Sequence, residues 1–237
     1  MKNLVFAITV ILALGAATQA HANPCPPGNP PSNCGPPPGA ILDLNGTAVP
    51  HAYQLYTATF TAAQATTNLS FSFREDPAFL GLDDVSLHDN TTNTGVTVVN
   101  GDFESGVLGN NAPAGWTYLN AFGAGAAGVV SNDPSPGPHG GSLYYRDGAV
   151  QGYDGITQAI ATTPLNTYTV SFWLDDNGPL TTFSDLSTNG NTTGTGGNGI
   201  DVLVYAGEIP TLAPEPVSLA LFGTGLVGLG LIRRRRA

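Results

Sequence analysis

Two kinds of side chain in this sequence are placed where they could do chemistry: carboxylates within strand-like runs, and aromatic rings that alternate with core residues. Asp83 lies in the run Phe79-Leu80-Gly81-Leu82-Asp83-Asp84-Val85-Ser86-Leu87, where strict alternation puts it on the face of Val85 and Leu87. A carboxylate facing a core is unfavourable unless it is paired or metal-bound, and an all-oxygen ligand set suits Ca²⁺. The competing role for such an acid is to cap a turn or meet water. Trp173 falls opposite Tyr168, Val170 and Phe172, so it is expected to face out of the core. There an indole ring could stack on the C–H face of a sugar. Tyr118, Tyr144, Tyr145 and Tyr153 are further rings that could line a sugar site. The competing role, for Trp116 and Trp173 alike, is to plug the ends of the fold.

Catalytic patterns are missing. The sequence has no G-x-S-x-G and no H-E-x-x-H. His51, His88 and His139 have no local partner pattern, and the acid pairs Glu75/Asp76 and Asp175/Asp176 point to opposite strand faces, so they do not converge as a glycosidase pair would. Three stretches match G-x-G-x-x-G, at Gly123, Gly194 and Gly223, but none opens a helix after a strand, as phosphate binding requires. No catalytic residue is assigned, and the chain is expected not to be an enzyme.

The charge balance restricts partners. The chain has 237 residues and a formal net charge of −10, with Lys+Arg 7 against Asp+Glu 17. Five of the seven basic residues lie at the ends: Lys2 and Arg233, Arg234, Arg235 and Arg236. Between them stand 16 acids (Glu215 left out) and only Arg74 and Arg146, a balance of −14. Such a surface repels phosphate backbones, which excludes nucleic acid as a partner and favours divalent cations over anions.

Both ends read as addresses. Residues 1–22 have the order of a secretory signal peptide: Lys2, the apolar run Leu4 to Gly15, and small residues at Ala20 and Ala22, where signal peptidase reads. Residues 23–40 form a Pro-rich spacer in which Cys25 and Cys34 bracket a stiff loop. Two cysteines in an exported chain are expected to form a disulfide, with free thiols as the alternative. At the far end, residues 211–237 contain Pro214-Glu215-Pro216, the uncharged stretch Val217 to Ile232, and the four arginines. A helix over that stretch rises about 24 Å, enough to span a locally thinned bilayer with the arginines on the cytoplasmic side. This three-part tail resembles the PEP-CTERM sorting signal of Gram-negative bacteria. The resemblance implies recognition by an exosortase, an intermediate tethered to the inner membrane, and delivery to the cell surface or extracellular matrix.

Residues 41–210 must supply the fold. Apolar residues there recur with period two: Leu69, Phe71 and Phe73 alternate with polar neighbours, as do Tyr168, Val170, Phe172 and Leu174. Further strands are expected at 53–62, 79–87, 97–100, 142–146, 155–161 and 200–205. The fold class is all-β, an antiparallel β-sandwich, with a signal helix before it and a single transmembrane helix after it.

Asn100-Gly101-Asp102-Phe103-Glu104, followed by Gly115-Trp116-Thr117, resembles the opening of galactose-binding-like jelly rolls, the fold of many carbohydrate-binding modules. Residues 79–87 resemble its closing strand. The order is inverted, which is explained by a circularly permuted single domain or by two partial domains in series. Permutation predicts that the strand near 200–205 neighbours the one near 53–62. The resemblance implies a structural calcium ion at Asp83, Asp84, Asp102 and Glu104. It also implies a non-catalytic module binding glycan, such as extracellular polysaccharide. The alternatives are a structural matrix or biofilm component without a defined ligand and, more remotely, a glycoside hydrolase.

Overall fold

The computed structural model describes residues 39–44, 49–76, 79–120, 124–150, 152–177 and 199–208. The signal segment, Cys25 and Cys34, residues 178–198 and the sorting tail lie outside the described residues.

Among the described residues eleven strands form two antiparallel sheets, in keeping with the period-two pattern. They are β1 (Leu42–Asp43), β2 (Gln54–Thr61), β3 (Thr66–Asp76), β4 (Leu80–Asp89), β5 (Thr94–Val96), β6 (Thr117–Leu119), β7 (Val129–Ser131), β8 (Tyr144–Asp147), β9 (Asp154–Ala161), β10 (Thr167–Asp176) and β11 (Gly199–Ala206). The first sheet runs β1-β11-β3-β9-β6 and the second β2-β10-β4-β8-β7, with β5 also paired to β4. Among the described residues no helix is long and apolar enough to cross a membrane.

Inward side chains from both sheets make one core. Leu69, Phe71, Phe73, Val202 and Val204 come from the first sheet, and Ala58, Phe60, Leu82, Val85, Val170, Phe172 and Leu174 from the second. The sheets lock where the Phe71 and Phe172 rings meet edge to face at 5.0 Å. Phe103 and Trp116, from the connection between β5 and β6, close one end of the sandwich, their rings 5.8 Å apart. Trp116 is thus a plug, held further by an Nε1–H donated to the Asn100 carbonyl at 3.2 Å.

Three expectations need correction. β11 pairs with β3 and β1, whereas β2 pairs with β10 in the opposite sheet, so the predicted adjacency of 200–205 and 53–62 does not occur. The two strands share a core but not an edge. The strand expected at 97–100 is instead irregular chain after β5 that enters a turn at 99–100. Asp83 does not share a face with Val85. Asp84 takes a left-handed φ of 49°, and the β4–β10 register slips between Ser171 and Trp173. That is a β-bulge, an extra residue that reverses the alternation beyond it. Asp83 therefore lies opposite Trp173 on the outer face of the second sheet, while Leu82 and Val85 both point inward.

Candidate functional site

The two segments singled out in the sequence meet. The Val85 N–H donates to the Gly101 carbonyl at 2.7 Å, joining the Asn100–Glu104 turn to β4. Asn100 and Phe103 both adopt positive φ, 51° and 55°. Asn100 tolerates it because its side chain replaces backbone partners, accepting from the Ser105 N–H at 2.8 Å and donating to the Ser105 and Ala114 carbonyls. The Gln158 side chain of β9 ties the same turn down through Val99 and Gly115.

Between these segments runs the loop 132–143, and acids hold it from two sides. Asp83, fully buried, accepts through Oδ2 from the N–H groups of His139 at 2.8 Å and Gly140 at 3.2 Å, and through Oδ1 from the Asp84 N–H. Asp84 Oδ2 lies 2.6 Å from His139 Nδ1. Glu104 Oε1 accepts from the Ser142 and Leu143 N–H groups at 2.7 and 2.8 Å. Gly141 sits at φ 60°, and a Cβ there would fall on the Glu104 carboxylate, so glycine is required. Burial pushes the Asp83 carboxyl up to about 6, against the pull of its three N–H donors and with the help of the neighbouring Asp84 charge.

Above this loop lies a stack of rings. His139 and Trp173 are parallel within 16°, their centroids 4.1 Å apart, and Tyr53 meets His139 edge-on at 5.1 Å. The Tyr53 hydroxyl donates to the Gly137 carbonyl at 2.7 Å. Leu55, 48% exposed, is the cross-strand partner of Trp173 in β2. A half-buried indole, a partly buried imidazole, an exposed leucine and the partly exposed Asp84 carboxylate thus share the outer face of the second sheet.

The sequence-derived candidates sort as follows. Trp173 faces outward as expected, and Tyr118 is half-buried, donating to Asp154 Oδ2 at 2.9 Å. Tyr144, Tyr145 and Tyr153 are fully buried and cannot present a face to a sugar. Tyr145 points into the core against Phe73 and Phe103, and Tyr153 donates to Asp201 at 2.6 Å beside Leu203 and Tyr205. Tyr144 lies under Gly81, where a Cβ would also strike the Tyr53 hydroxyl and Pro136. Asp83 and Glu104 accept from backbone N–H groups of one loop, Asp84 lies against the His139 ring of that loop, and Asp102 is exposed. Among the described residues no group of three or more His, Cys, Asp or Glu side chains that could hold a metal ion is found.

His139 escaped the sequence reading because its partners, Asp84 and Trp173, are 55 and 34 positions away and only the bulge brings them to one face. The adjoining Gly140-Gly141 pair is the one local hint of close backbone approach. The loop's anchorage has a measurable weight. Asp83→Ala leaves three N–H groups without their acceptor and is expected to destabilise the fold by about 2 kcal/mol, read as a lower urea midpoint at unchanged slope. An unchanged midpoint would show that the loop does not depend on Asp83.

Searched against family models, curated proteins and solved structures, the chain finds no significant match.

Proposed function

We propose that this chain is an exported, exosortase-sorted protein of the bacterial surface or extracellular matrix whose β-sandwich binds glycan without catalysing a reaction. The observation that carries the binding part is the Trp173–His139 stack, set on an outer sheet face with Leu55 at one side and the Asp84 carboxylate at the other. Carbohydrate recognition calls for this mixture: an apolar ring surface against the axial C–H groups and a charged acceptor for hydroxyls. The acidic balance favours a neutral or cationic polysaccharide over a phosphate- or sulfate-rich one. The sorting part rests on Pro214-Glu215-Pro216, the apolar stretch and the arginine cluster. The jelly-roll relationship rests on the turn at Asn100–Glu104 packing against β4.

The test is binding to an array of neutral polysaccharides by the wild type and by Trp173→Ala and His139→Ala. Loss of the indole is expected to weaken binding roughly tenfold or more. Absence of binding to any glycan, with the fold intact, leaves the structural-matrix role as the reading to adopt. Mass spectrometry of the secreted form tests the sorting part, since an uncut tail would exclude release by an exosortase.

A further inference from the structure

The Trp173–His139 stack does not stand alone on the outer face of the second sheet. Outward positions lead away from it along β10 at every second residue: Ser171, Thr169 and Thr167, each half-buried and alternating with the core side chains Phe172, Val170 and Tyr168. Strand register continues the pattern sideways. On β2, Thr57 lies across from Ser171, Thr59 across from Thr169 and Thr61 across from Thr167, and all three threonines are exposed. On β4, Ser86 pairs with Ser171 and His88 with Thr169, and the N–H of the exposed Asn90 donates to the Thr167 carbonyl. Three strands thus carry one strip of hydroxyl-bearing side chains, which starts at the indole and ends at Thr61 and Thr167.

The strip is long, uncharged and held in place. Six residues of extended chain separate Trp173 from Thr167, a span of about 20 Å. Beyond Leu55 and Trp173, the outward positions of β2 and β10 are all Thr or Ser, and those of β4 are Ser86, His88 and Asn90. This is a neutral face in a chain whose balance between its basic ends is −14. Asn90 Nδ2 donates to Thr169 Oγ1 at 2.9 Å, and that hydroxyl donates back to Asn90 Oδ1 at 3.2 Å. The Thr61 and Thr167 hydroxyls lie 3.5 Å apart. Branching at Cβ restricts each threonine further. Side chains fixed in this way lose little freedom when a ligand settles on them.

Each threonine offers a methyl group beside a hydroxyl, the same mixture of C–H and O–H that a sugar ring presents. A hydroxyl both donates and accepts, so it can pair with a sugar hydroxyl in either sense. A protein partner fits poorly, because beyond Trp173 the strip lacks the Tyr, Trp, Met and Arg anchors found at the centre of such interfaces. A charged ligand finds no counter-charge along it. Resting on the glycan-binding reading above, we infer that the strip from Trp173 to Thr167 takes an extended run of a neutral polysaccharide chain laid along β10, with the indole as one of several subsites. The site is then built for the interior of a polymer, not for a single sugar or a chain end.

The experiment is calorimetric titration of the full-length protein with cello-, laminari- and manno-oligosaccharides, from disaccharide to hexasaccharide. Where the array selects another neutral polymer, its own fragments replace these. Affinity is expected to rise tenfold or more from disaccharide to hexasaccharide. The double variant Thr59→Val, Thr169→Val keeps the branching at Cβ and removes two hydroxyls. It is expected to weaken hexasaccharide binding roughly fivefold or more and to leave disaccharide binding unchanged. Thr117→Val, on the other sheet, should change neither. Should the double variant fail to fold, the length dependence of the wild type still decides. Equal affinity at all lengths, or a folded double variant that binds the hexasaccharide as the wild type does, overturns the strip and leaves a single-sugar site at Trp173, with the glycan-binding reading intact. Preference for a charged polysaccharide overturns the neutral assignment. Absence of binding to any glycan overturns that reading, and this inference with it.

Discussion

Gly101→Ala is expected to lower the melting temperature by roughly 8–16 °C, the equivalent of about 4 kcal/mol in a domain of this size. A Cβ at this buried position would overlap the carbonyl oxygen of Val85, with the Val98 side chain at 3.3 Å on the other side. Both Gly101 and Val85 are backbone-fixed. Val85 follows the bulge in β4, and its N–H donates to the Gly101 carbonyl, so the turn cannot retreat without breaking that bond. Retreat would also displace Phe103 and Trp116, which close the core two and fifteen positions later. Gly95→Ala is the control. No atom lies within 4 Å of its Cβ position, and its expected effect stays within about 0.5 kcal/mol. A Gly101→Ala protein melting within a degree of the wild type would mean that the turn is not packed against β4 as described.

That junction also marks how far the sequence could be read. Alternation in 69–73 and 168–174 was enough for an all-β sandwich, because inward and outward positions differ plainly in polarity there. Alternation failed at Asp84. A bulge adds one residue without any consistent signature, and Asp in a left-handed conformation is tolerated without glycine to announce it. Alternation put a core-facing carboxylate at Asp83, and one slip moved that side chain to the outer face. Asp147, two positions from the core residue Tyr145, is an acid that does face the core, without a bulge. The short strands β1, β6 and β7 carry too few residues for a period to show. Strand order lies beyond local pattern altogether, and β11 joined β3 and β1 rather than β2 through contacts more than a hundred residues apart.

The protein is expected to be more stable near pH 5 than near pH 8, the reverse of the behaviour of a fold held by paired carboxylates. Burial raises the Asp201 carboxyl to about 7, with its bond from the Tyr153 hydroxyl and the nearby Arg74 acting against that rise and Asp43 adding to it. Asp83 stands at about 6 for the reasons already given. In the unfolded chain both titrate near 3.8. A group raised in the folded state contributes its stability fully below the unfolded value, and that contribution is lost as pH climbs through the folded one. The window is therefore pH 4 to 7. Each unit is worth about 1.4 kcal/mol, so the two groups set a ceiling of about 7 kcal/mol, which relaxation and water entry bring down to a few. Asp147 and Asp154 act in the same direction, since burial raises both. Asp89 opposes them. Burial works against its charge, but the Asn166 amide and the Thr92 and Thr91 N–H groups outweigh that and hold it below its usual value. Its contribution is lost only as pH falls below about 4. Stability should thus peak between pH 4 and 5 and decline on both sides. Melting curves from pH 3 to 9 measure this directly. Asp201→Asn, which keeps an acceptor for Tyr153 but has no charge to bury, should flatten the alkaline limb and melt higher than the wild type at pH 8. A melting temperature that holds steady or rises from pH 5 to pH 8 would show that these carboxyls ionise freely, and hence that the interior is open to water.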